Sequence, residues 1–248
     1  MKTLLAKHRS IRKVRSEPIA PEVLQDMLEA ASRASTCGNM QLYSLIVTQS
    51  RELREALAPC HFNQPMVTQA PCVITVCADV HRFSMWCEQR DAEPCYDNFA
   101  WFLNGVTDAL LAAQNLCVEA EAHGLGICYL GTTIYTAEEI ARILDLPKGV
   151  IPVTTIVVGH PDESPELTDR LPLDAVVHCE KYHHYTSSEI DELWAEKETS
   201  EETRRLLEEN GLPNLAQIFT RNRYRAEDNL AISRNYFALL KKQGFFNN

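Results

Sequence analysis

Residues 97–130 read DNFAWFLNGVTDALLAAQNLCVEAEAHGLGICYL, and this stretch decides the fold class. A helix is predicted over residues 97–122 with Asp97 as its N-cap, because apolar residues recur at i, i+3, i+4 and i+7. These residues are Phe99, Phe102, Leu103, Val106, Leu110, Ala113 and Cys117. A His-Gly pair then ends the helix as a left-handed cap, and a strand is predicted at 126–130. The stretch therefore indicates a fold that mixes α and β elements.

Helices and strands also alternate on both sides of this stretch. The helix predicted at 21–34 opens with Pro21, a residue that is favoured in the first turn of a helix. The other predicted elements are a helix at 137–145 and strands at 42–48, 72–78 and 152–159. Because elements of both kinds share one core, we predict the α+β class.

Polar sequence replaces this alternation in the last third of the chain. Beyond residue 186 the pattern is typical of helices separated by NGLPN, and no strand pattern remains. Such an arm has too few apolar positions to fold alone, so we expect it to pack on its own chain or on a partner subunit. We therefore predict a globular domain at 1–185 and a helical C-terminal arm at 186–248.

The composition of the 248-residue chain limits its partners and its location. A formal net charge of -10 argues against a nucleic-acid-binding protein, which needs a basic face. The sequence contains no run of 18 apolar residues, and its first residues are too polar for a signal-peptide core. The nine cysteines lie mostly in apolar runs and form no CxxC pair, which favours buried thiols in a reducing compartment. We expect a cytoplasmic protein that binds neither nucleic acid nor a membrane.

Positive charge is concentrated in residues 8–13, HRSIRK, of this otherwise acidic chain. One interpretation is a solvated helix end, where cations near the last turn are favourable. The other is an anion site. Arg9 and Arg12 lie three positions apart with Ser10 between them, and guanidinium groups bind phosphate bidentately. The segment alone leaves both interpretations open.

Five segments in series give the chain a resemblance to a known family. They are HRSIRK with the EPI that follows, RASTCGNMQLYSLIV, HFNQPMVTQAPCVITVCAD, GLGICYLGTT and PDESPELTDRLP. In this order they resemble the FMN-dependent nitroreductases, with a closer likeness to the oxygen-insensitive branch that uses NADPH and is related to bacterial flavin reductases. The resemblance covers roughly residues 1–185. It implies a nitroreductase-like fold, with a central, mainly antiparallel sheet flanked by helices and an extended helical C-terminal arm.

The resemblance also implies an activity. It implies a homodimer that binds FMN near the subunit interface, with the arm embracing the partner. A hydride would pass from NADPH or NADH to the flavin, and two electrons would then pass to a nitroaromatic, quinone or flavin acceptor. Since the cofactor carries the chemistry, no protein nucleophile is expected. An alternative from another class is a flavin-binding or interaction protein without turnover that acts through its acidic arm.

The basic motif would hold FMN, according to the resemblance. Arg9 and Ser10 would meet the phosphate, and Arg12 would support the pyrimidine edge of the ring, where negative charge develops on reduction. Gln64 would hydrogen-bond the ribityl or pyrimidine side, and Arg170 would bring a second guanidinium group to the phosphate. The full set that the resemblance assigns to FMN is His8, Arg9, Ser10, Arg12, Thr36, Gln41, Gln64, Tyr129, Leu130, Gly131, Thr132, Thr168 and Arg170.

Two positions depart from the pattern of that branch. Thr168 stands where a lysine often precedes the arginine by two residues, so one cation at the phosphate is missing and His8 would compensate. Thr132 stands where a second glycine often follows Gly131. The backbone of residues 129–132 would lie along the ring with an N–H group near the flavin N5. A threonine makes that backbone less permissive than a glycine would.

Other patterns in the sequence have both a plain and a specific interpretation. Arg221, Arg223 and Arg225 predict a site for the 2′-phosphate of NADPH, whereas the plain interpretation is a solvated basic helix start.

The GLG at 124–126 is no Rossmann fingerprint, because Tyr129 stands where a glycine is required. The histidines and cysteine at 178–184 are interpreted as surface residues rather than metal ligands. The aromatic residues between 86 and 102 fit core or dimer packing as well as a wall of the flavin pocket.

Overall fold

The sheet at the centre of the protein is antiparallel in every pairing of its named strands. A computed structural model describes residues 2–246. Its strands are β1 (Val14–Arg15), β2 (Tyr43–Thr48), β3 (Cys72–Asp79), β4 (Gly126–Leu130) and β5 (Val150–Pro161). Strand β5 pairs with β1, β3 and β4, and β2 pairs with the other edge of β3. The predicted antiparallel sheet and its α+β class are confirmed.

The strands form because both faces of the sheet are covered. All eight residues of β3, CVITVCAD, are buried, as expected for a central strand that reads as one continuous apolar run. Ile74 lies opposite Ile156 of β5, and Thr75 lies opposite Thr155. Successive side chains of a strand point to opposite faces, so the two isoleucines lie on one face of the sheet and the two threonines on the other.

The three helices predicted between residues 21 and 145 are present, each within two residues of its predicted ends, and the chain has further helices that were not predicted there. Helix α2 opens with Pro21 as expected and ends at Ser32. The full set is α1 (Lys2–Ala6), α2 (Pro21–Ser32), α3 (Arg51–Leu57), α4 (Pro65–Gln69), α5 (His81–Glu88), α6 (Phe99–Ala122), α7 (Ala137–Ile143), α8 (Ser187–Thr199), α9 (Glu201–Asn210), α10 (Leu215–Gln217) and α11 (Ala226–Lys242). Among the helices of the described residues, none has the length and apolar character that a membrane crossing requires.

The ends of helix α6 are set by side-chain and glycine caps. The predicted cap at Asp97 is wrong by one residue, because the side chain of Asn98 accepts the N–H of Trp101 and the helix begins at Phe99. Asn98 has the extended backbone that an N-cap requires. At the other end Gly124 has a φ of 75°, so the predicted left-handed cap is confirmed.

The face of α6 that meets the core coincides only in part with its apolar stripe. Phe102, Ala113 and Cys117 of the stripe are buried as expected, whereas Phe99, Leu103 and Leu110 are exposed. The other buried residues of the helix are Gly105, Asp108, Ala109, Ala112, Leu116 and Ala120. Most of these are small, and glycine and alanine allow a closer approach of helix and sheet than leucine does.

The chain divides into two compact units by Cα proximity. One unit consists of the residues up to Glu166 and those from Ile232 onward, and the other is Leu167–Ala231. Within the first unit, the C-terminal residues Leu239, Leu240 and Phe245 are buried in a cluster with core residues of the sheet and of α6. The hydroxyl of Tyr236 donates to the carbonyl of Pro152 at 3.1 Å. The domain boundary predicted after residue 185 remains a prediction.

Most cysteines are buried, as the sequence suggested. Cys60, Cys72, Cys77, Cys87, Cys117 and Cys128 are buried free thiols, whereas Cys95 and Cys179 are exposed. Burial raises the pKa of Cys72 and of Cys117 to about 12 in each case. A thiol with such a pKa stays protonated at neutral pH and packs as a small apolar side chain.

We predict that Gly126→Ala destabilises the protein. A Cβ atom at this position of β4 would lie 2.7 Å from the Cβ of Ile11, which packs directly against it. Overpacking of this kind lowers the free energy of unfolding by about 1–3 kcal/mol. Urea denaturation followed by circular dichroism measures the loss. Gly131→Ala is the matched control, because its added Cβ would meet no atom within 4 Å, and an equal loss in both variants would contradict the prediction.

Candidate functional site

The basic motif lies against strand β4. Ser10 forms a parallel bridge with Ile127, and the N–H of Ile11 donates to the carbonyl of Ile127 at 2.9 Å. Helix α1 ends at Ala6, so this part of the motif is extended rather than helical. The pairing brings two of the segments that resemble the nitroreductases, HRSIRK and GLGICYLG, side by side.

The two arginines of the motif have different surroundings. One Nη atom of Arg9 donates to the carbonyl of Pro165 at 2.6 Å. The exposed guanidinium group of Arg12 has no hydrogen bond or ion pair within residues 2–246. Its charge acts on Cys128 of β4, where burial raises the pKa of the thiol and Arg12 opposes this effect. Arg12 therefore leaves a free cation beside the β4 strand.

The backbone around Arg12 is fixed by a carboxylate. The N–H groups of Arg12 and Lys13 both donate to Oε1 of Glu163, at 2.5 and 2.9 Å. These two hydrogen bonds lower the pKa of Glu163. The contact fixes the main chain of the motif and leaves the Arg12 side chain available.

His8 anchors the start of the motif to helix α6. Its Nδ1 lies 2.8 Å from Oε1 of Glu121, whose side chain is only 11% exposed. The second carboxylate oxygen of Glu121 is buried without a partner among the described residues. In this conformation the imidazole of His8 contacts a carboxylate, and its predicted contact with a phosphate stays a prediction.

The turn at 37–42 carries the next two predicted residues. Thr36 precedes the short 3₁₀ helix Cys37–Asn39, and Gln41 follows it with a φ of 53°. The side-chain amide of Gln41 donates to the carbonyl and to the side chain of Asn39, at 3.2 and 3.1 Å. Gln41 is exposed, so its amide lies at the surface of the protein.

A buried histidine joins the segment before Gln64 to the segment after β4. His61 is fully buried, and its Nδ1 lies 2.8 Å from Oγ1 of Thr132. Its Nε2 has no partner among the described residues. Gln64 is the N-cap of α4, three residues after His61. The threonine that replaces a glycine of the family pattern is therefore turned inward, and the exposed Gly131 beside it faces open space.

Tyr129 and Leu130, at the end of β4, point their side chains into the protein. The hydroxyl of Tyr129 lies 3.4 Å from Oε1 of Gln114 on α6, and burial raises the pKa of this tyrosine. Leu130 is 3% exposed. Leu130 is thus buried and Tyr129 half-buried, and the role of their backbone groups at a flavin stays a prediction.

The remaining predicted residues lie in the second unit. One Nη atom of Arg170 donates to Oγ1 of Thr168 at 2.7 Å. Nε of Arg225 donates to Asp228 at 2.8 Å, and the guanidinium group of Arg223 lies 5.4 Å from the centre of the Phe219 ring. No hydrogen bond or ion pair of the Arg221 side chain is found within residues 2–246.

The histidines of the second unit make contacts of their own. Nε2 of His183 lies 2.9 Å from Oε1 of Glu189, whose pKa is lowered to about 2 mainly by hydrogen bonds from Thr186. The N–H of His183 donates to Nδ1 of His178 at 3.2 Å. Across the described part of the chain, no three His, Cys, Asp or Glu side chains are grouped so as to hold a metal ion.

Sequence reasoning missed the buried polar residues behind this region. Asp108 of α6 accepts backbone N–H groups from both ends of the 37–42 turn, and Arg82 binds the carbonyl of Gln41. His61 and Glu121 were also overlooked. Asp108 gave one usable signal, because a lone acidic residue in the apolar run VTDALLAA has to find a partner if the helix is buried.

We predict that His61 makes the protein less stable in mild acid. Burial lowers the pKa of His61 to about 4, whereas an unfolded histidine titrates near 6.5. Between these values only the unfolded chain binds the proton, so the free energy of unfolding falls as the pH drops through this range. Urea denaturation at about pH 7 and about pH 4.5 should show a loss about 2–3 kcal/mol larger in wild type than in His61→Gln.

The control for this measurement is His184→Gln, which removes an exposed histidine. This variant should keep the pH dependence of the wild type. If His61→Gln keeps it as well, another group is responsible for the loss of stability in acid.

Known proteins resemble this chain in sequence and in fold. The model of the nitroreductase family matches residues 5–160. An NADPH-dependent oxidoreductase of Staphylococcus aureus is 35% identical over 184 residues, which are 73% of each chain. A crystal structure from Bacteroides fragilis is 48% identical with a TM-score of 0.97 and covers 99% of this chain and 100% of its own.

A second solved structure with a similar fold contains a bound nucleotide. The NADPH:FMN oxidoreductase of Vibrio harveyi, solved in complex with NAD+, is 26% identical with a TM-score of 0.82. The match covers 100% of this chain and 99% of that one. Both the sequence match and the fold match extend over most of the chain. The chain therefore belongs to the nitroreductase family and, with it, to the NAD(P)H-dependent oxidoreductases.

Proposed function

We propose that this protein binds one FMN per subunit and uses reduced nicotinamide to reduce a small acceptor such as a nitroaromatic, a quinone or a flavin. The observation that carries the proposal is the pairing of Ser10 with Ile127, which places the basic motif beside strand β4. Without this pairing, the two segments that resemble the flavin site would be unrelated in space.

The basic motif fits FMN by its charge. The guanidinium groups of Arg9 and Arg12 form no ion pair with a carboxylate within residues 2–246, although the chain has a net charge of -10. Cations that stay unpaired in an acidic protein are suited to an anionic ligand, and guanidinium groups match the geometry of a phosphate. A Cβ atom at Gly131 would meet no atom within 4 Å, so no side chain crowds the backbone at this position.

The chemistry that FMN supplies is the acceptance of a hydride and the transfer of two electrons. The protein supplies position and charge. Ser10 and Arg9 would hold the phosphate, and Arg12 would keep a positive charge at the pyrimidine edge of the ring. Thr36, Gln41 and Gln64 would donate or accept hydrogen bonds around the ring. The assignment of Thr168 and Arg170 to the phosphate rests on the resemblance.

NADPH is the proposed reductant, with NADH as the weaker substrate. The Staphylococcus aureus relative is named for NADPH, and so is the Vibrio harveyi enzyme. Of the three arginines proposed for the 2′-phosphate, Arg225 already pairs with Asp228. This leaves Arg221 and Arg223 as the better candidates, because a guanidinium group that is already paired has less charge to offer.

The proposed enzyme is a cytoplasmic homodimer. Phe99, Leu103 and Leu110 are exposed and lie on one side of helix α6. Exposed apolar surface of this kind is typical of a subunit interface. A second copy of the chain that covers this side would remove it from water, and the C-terminal arm would extend over the partner as the resemblance implies.

The first test of the function is the colour of the purified protein. We expect it to be yellow, to release FMN rather than FAD on acid denaturation, and to bleach when NADPH is added under nitrogen. Chromatography of the released flavin and visible absorbance measure both properties. Steady-state kinetics should then give a higher kcat/KM with NADPH than with NADH.

Each result of this test separates the candidate functions. Bound FMN that NADPH does not reduce would favour the flavin-binding protein without turnover. Absence of flavin after reconstitution with FMN and with FAD would contradict both functions.

A second test separates the roles of Arg9 and Arg12. Arg12→Gln should retain much of the FMN but lower its two-electron potential by about 20–60 mV, because a charge contact at the ring of about 1–3 kcal/mol favours the reduced form. Arg9→Gln should weaken FMN binding and leave the potential almost unchanged. Arg15→Gln is the control, since Arg15 pairs with Glu17. Loss of FMN without a change of potential in Arg12→Gln would make Arg12 a phosphate ligand.

A further inference from the structure

The turn formed by Cys37–Leu42 has an unusual backbone. Gly38, Asn39 and Gln41 have φ values of 55°, 57° and 53°. Residues other than glycine rarely adopt this left-handed conformation, and they keep it only where surrounding contacts determine it. Two such residues within three positions therefore require an explanation outside the turn itself.

Asp108 holds this turn from the inside. The residue is 1% exposed and lies on the buried face of α6. Its Oδ1 accepts the N–H of Cys37 at 2.9 Å, and its Oδ2 accepts the N–H of Leu42 at 3.0 Å. One carboxylate therefore fixes both ends of the turn. A buried carboxylate is stable only when hydrogen bonds replace its hydration, and these two donors do so.

The packing of α6 brings Asp108 within reach of the turn. A Cβ atom at Gly105 would lie 3.1 Å from the carbonyl oxygen of Leu42, so the absence of a side chain permits the close approach. The same carbonyl accepts the N–H of Asp79 at 2.9 Å. Both backbone groups of the buried Leu42 are thus bonded to the core.

Arg82 holds the turn from the outside. Its guanidinium group, which lies on α5, donates to the carbonyls of Gln41 and of Tyr43. Asp79 fixes Arg82 in turn, because its Oδ1 accepts the Arg82 N–H at 3.1 Å and its Oδ2 lies 3.6 Å from the guanidinium group. Ser44 donates to the same Oδ2 at 2.5 Å. The turn is therefore tied to the core by two carboxylates and one arginine.

We propose that Asp108 and Arg82 are positioning residues of the cofactor site, which hold the Cys37–Leu42 turn in its bound conformation before FMN arrives. The inference rests on the proposed function, in which Thr36 and Gln41 flank the flavin. A turn that is fixed in advance loses no freedom when the ligand binds, and this raises the affinity without any new contact. The side chain of Gln41 keeps one direction as long as the hydrogen bonds from Asp108 and Arg82 hold its backbone in the left-handed conformation.

The two hydrogen bonds at the ends of the turn require a carboxylate rather than an amide at position 108. Asn at position 108 has almost the same shape, but its one carbonyl oxygen can accept only one of the two N–H groups at the ends of the turn. Its amide NH₂ group would face the other donor. Asp108→Asn should therefore free one end of the turn and leave the core filled.

The experiment combines amide exchange with flavin binding. In the protein without flavin, hydrogen exchange should be about tenfold faster in Asp108→Asn at one of the two amides, that of Cys37 or that of Leu42, the change expected for one lost hydrogen bond to a charged acceptor. The dissociation constant for FMN should rise about tenfold in the same variant. Arg82→Gln should act in the same direction, and because Arg82 is about half exposed this variant provides a test if Asp108→Asn does not fold.

The matched control is Leu116→Ala, which removes a fully buried side chain from α6 away from the turn. It should lower the melting temperature and leave FMN affinity and exchange at Cys37 and Leu42 unchanged. If wild type binds FMN and both turn variants bind it equally well, Asp108 and Arg82 are not positioning residues. If Leu116→Ala weakens FMN to the same extent, their effect is one of general stability, and the inference is likewise overturned.

A failure of the proposed function gives a different result. Wild-type protein that binds no flavin would refute the function and with it the role of the turn at a cofactor. In that case the exchange measurement still reports whether Asp108 and Arg82 fix the turn.

Discussion

Close packing of helix α6 against the sheet is the constraint on which the candidate site depends. Gly105 and several alanines on its buried face allow the approach, and the helix then carries two carboxylates to the segments around it. Asp108 binds the ends of the 37–42 turn, and Glu121 binds His8 at the start of the basic motif. A larger side chain on this face would separate the helix from the sheet and move both anchors together.

The sequence predicted most of the fold because its local patterns agree with its tertiary packing. Strands such as Cys72–Asp79 read as continuous apolar runs, and Pro21 and Gly124 mark helix ends for reasons that involve only the local backbone. The exposed side of α6 was misjudged for the opposite reason. Hydrophobic periodicity indicates where the large apolar residues lie, whereas the buried face of this helix consists largely of glycine and alanine beside Phe102 and Leu116.

The candidate site could be predicted only in part. A resemblance carried by short motifs names residues that would face a ligand, such as Arg12 and Gln64, but it is silent on the residues behind them. The hydrogen bond between His61 and Thr132, and those from Asp108 to the turn, join segments far apart in the chain. Their partners are decided by tertiary packing, so no pattern within a single segment indicates them.

The distribution of thiols has a consequence for the study of this protein in solution. Cys72 and Cys117 lie in the main core with pKa values raised to about 12, so alkylation of these thiols requires that the surrounding core opens. Cys95 and Cys179 are exposed and need no opening. The order in which the native cysteines are alkylated therefore reports how much of the fold has opened.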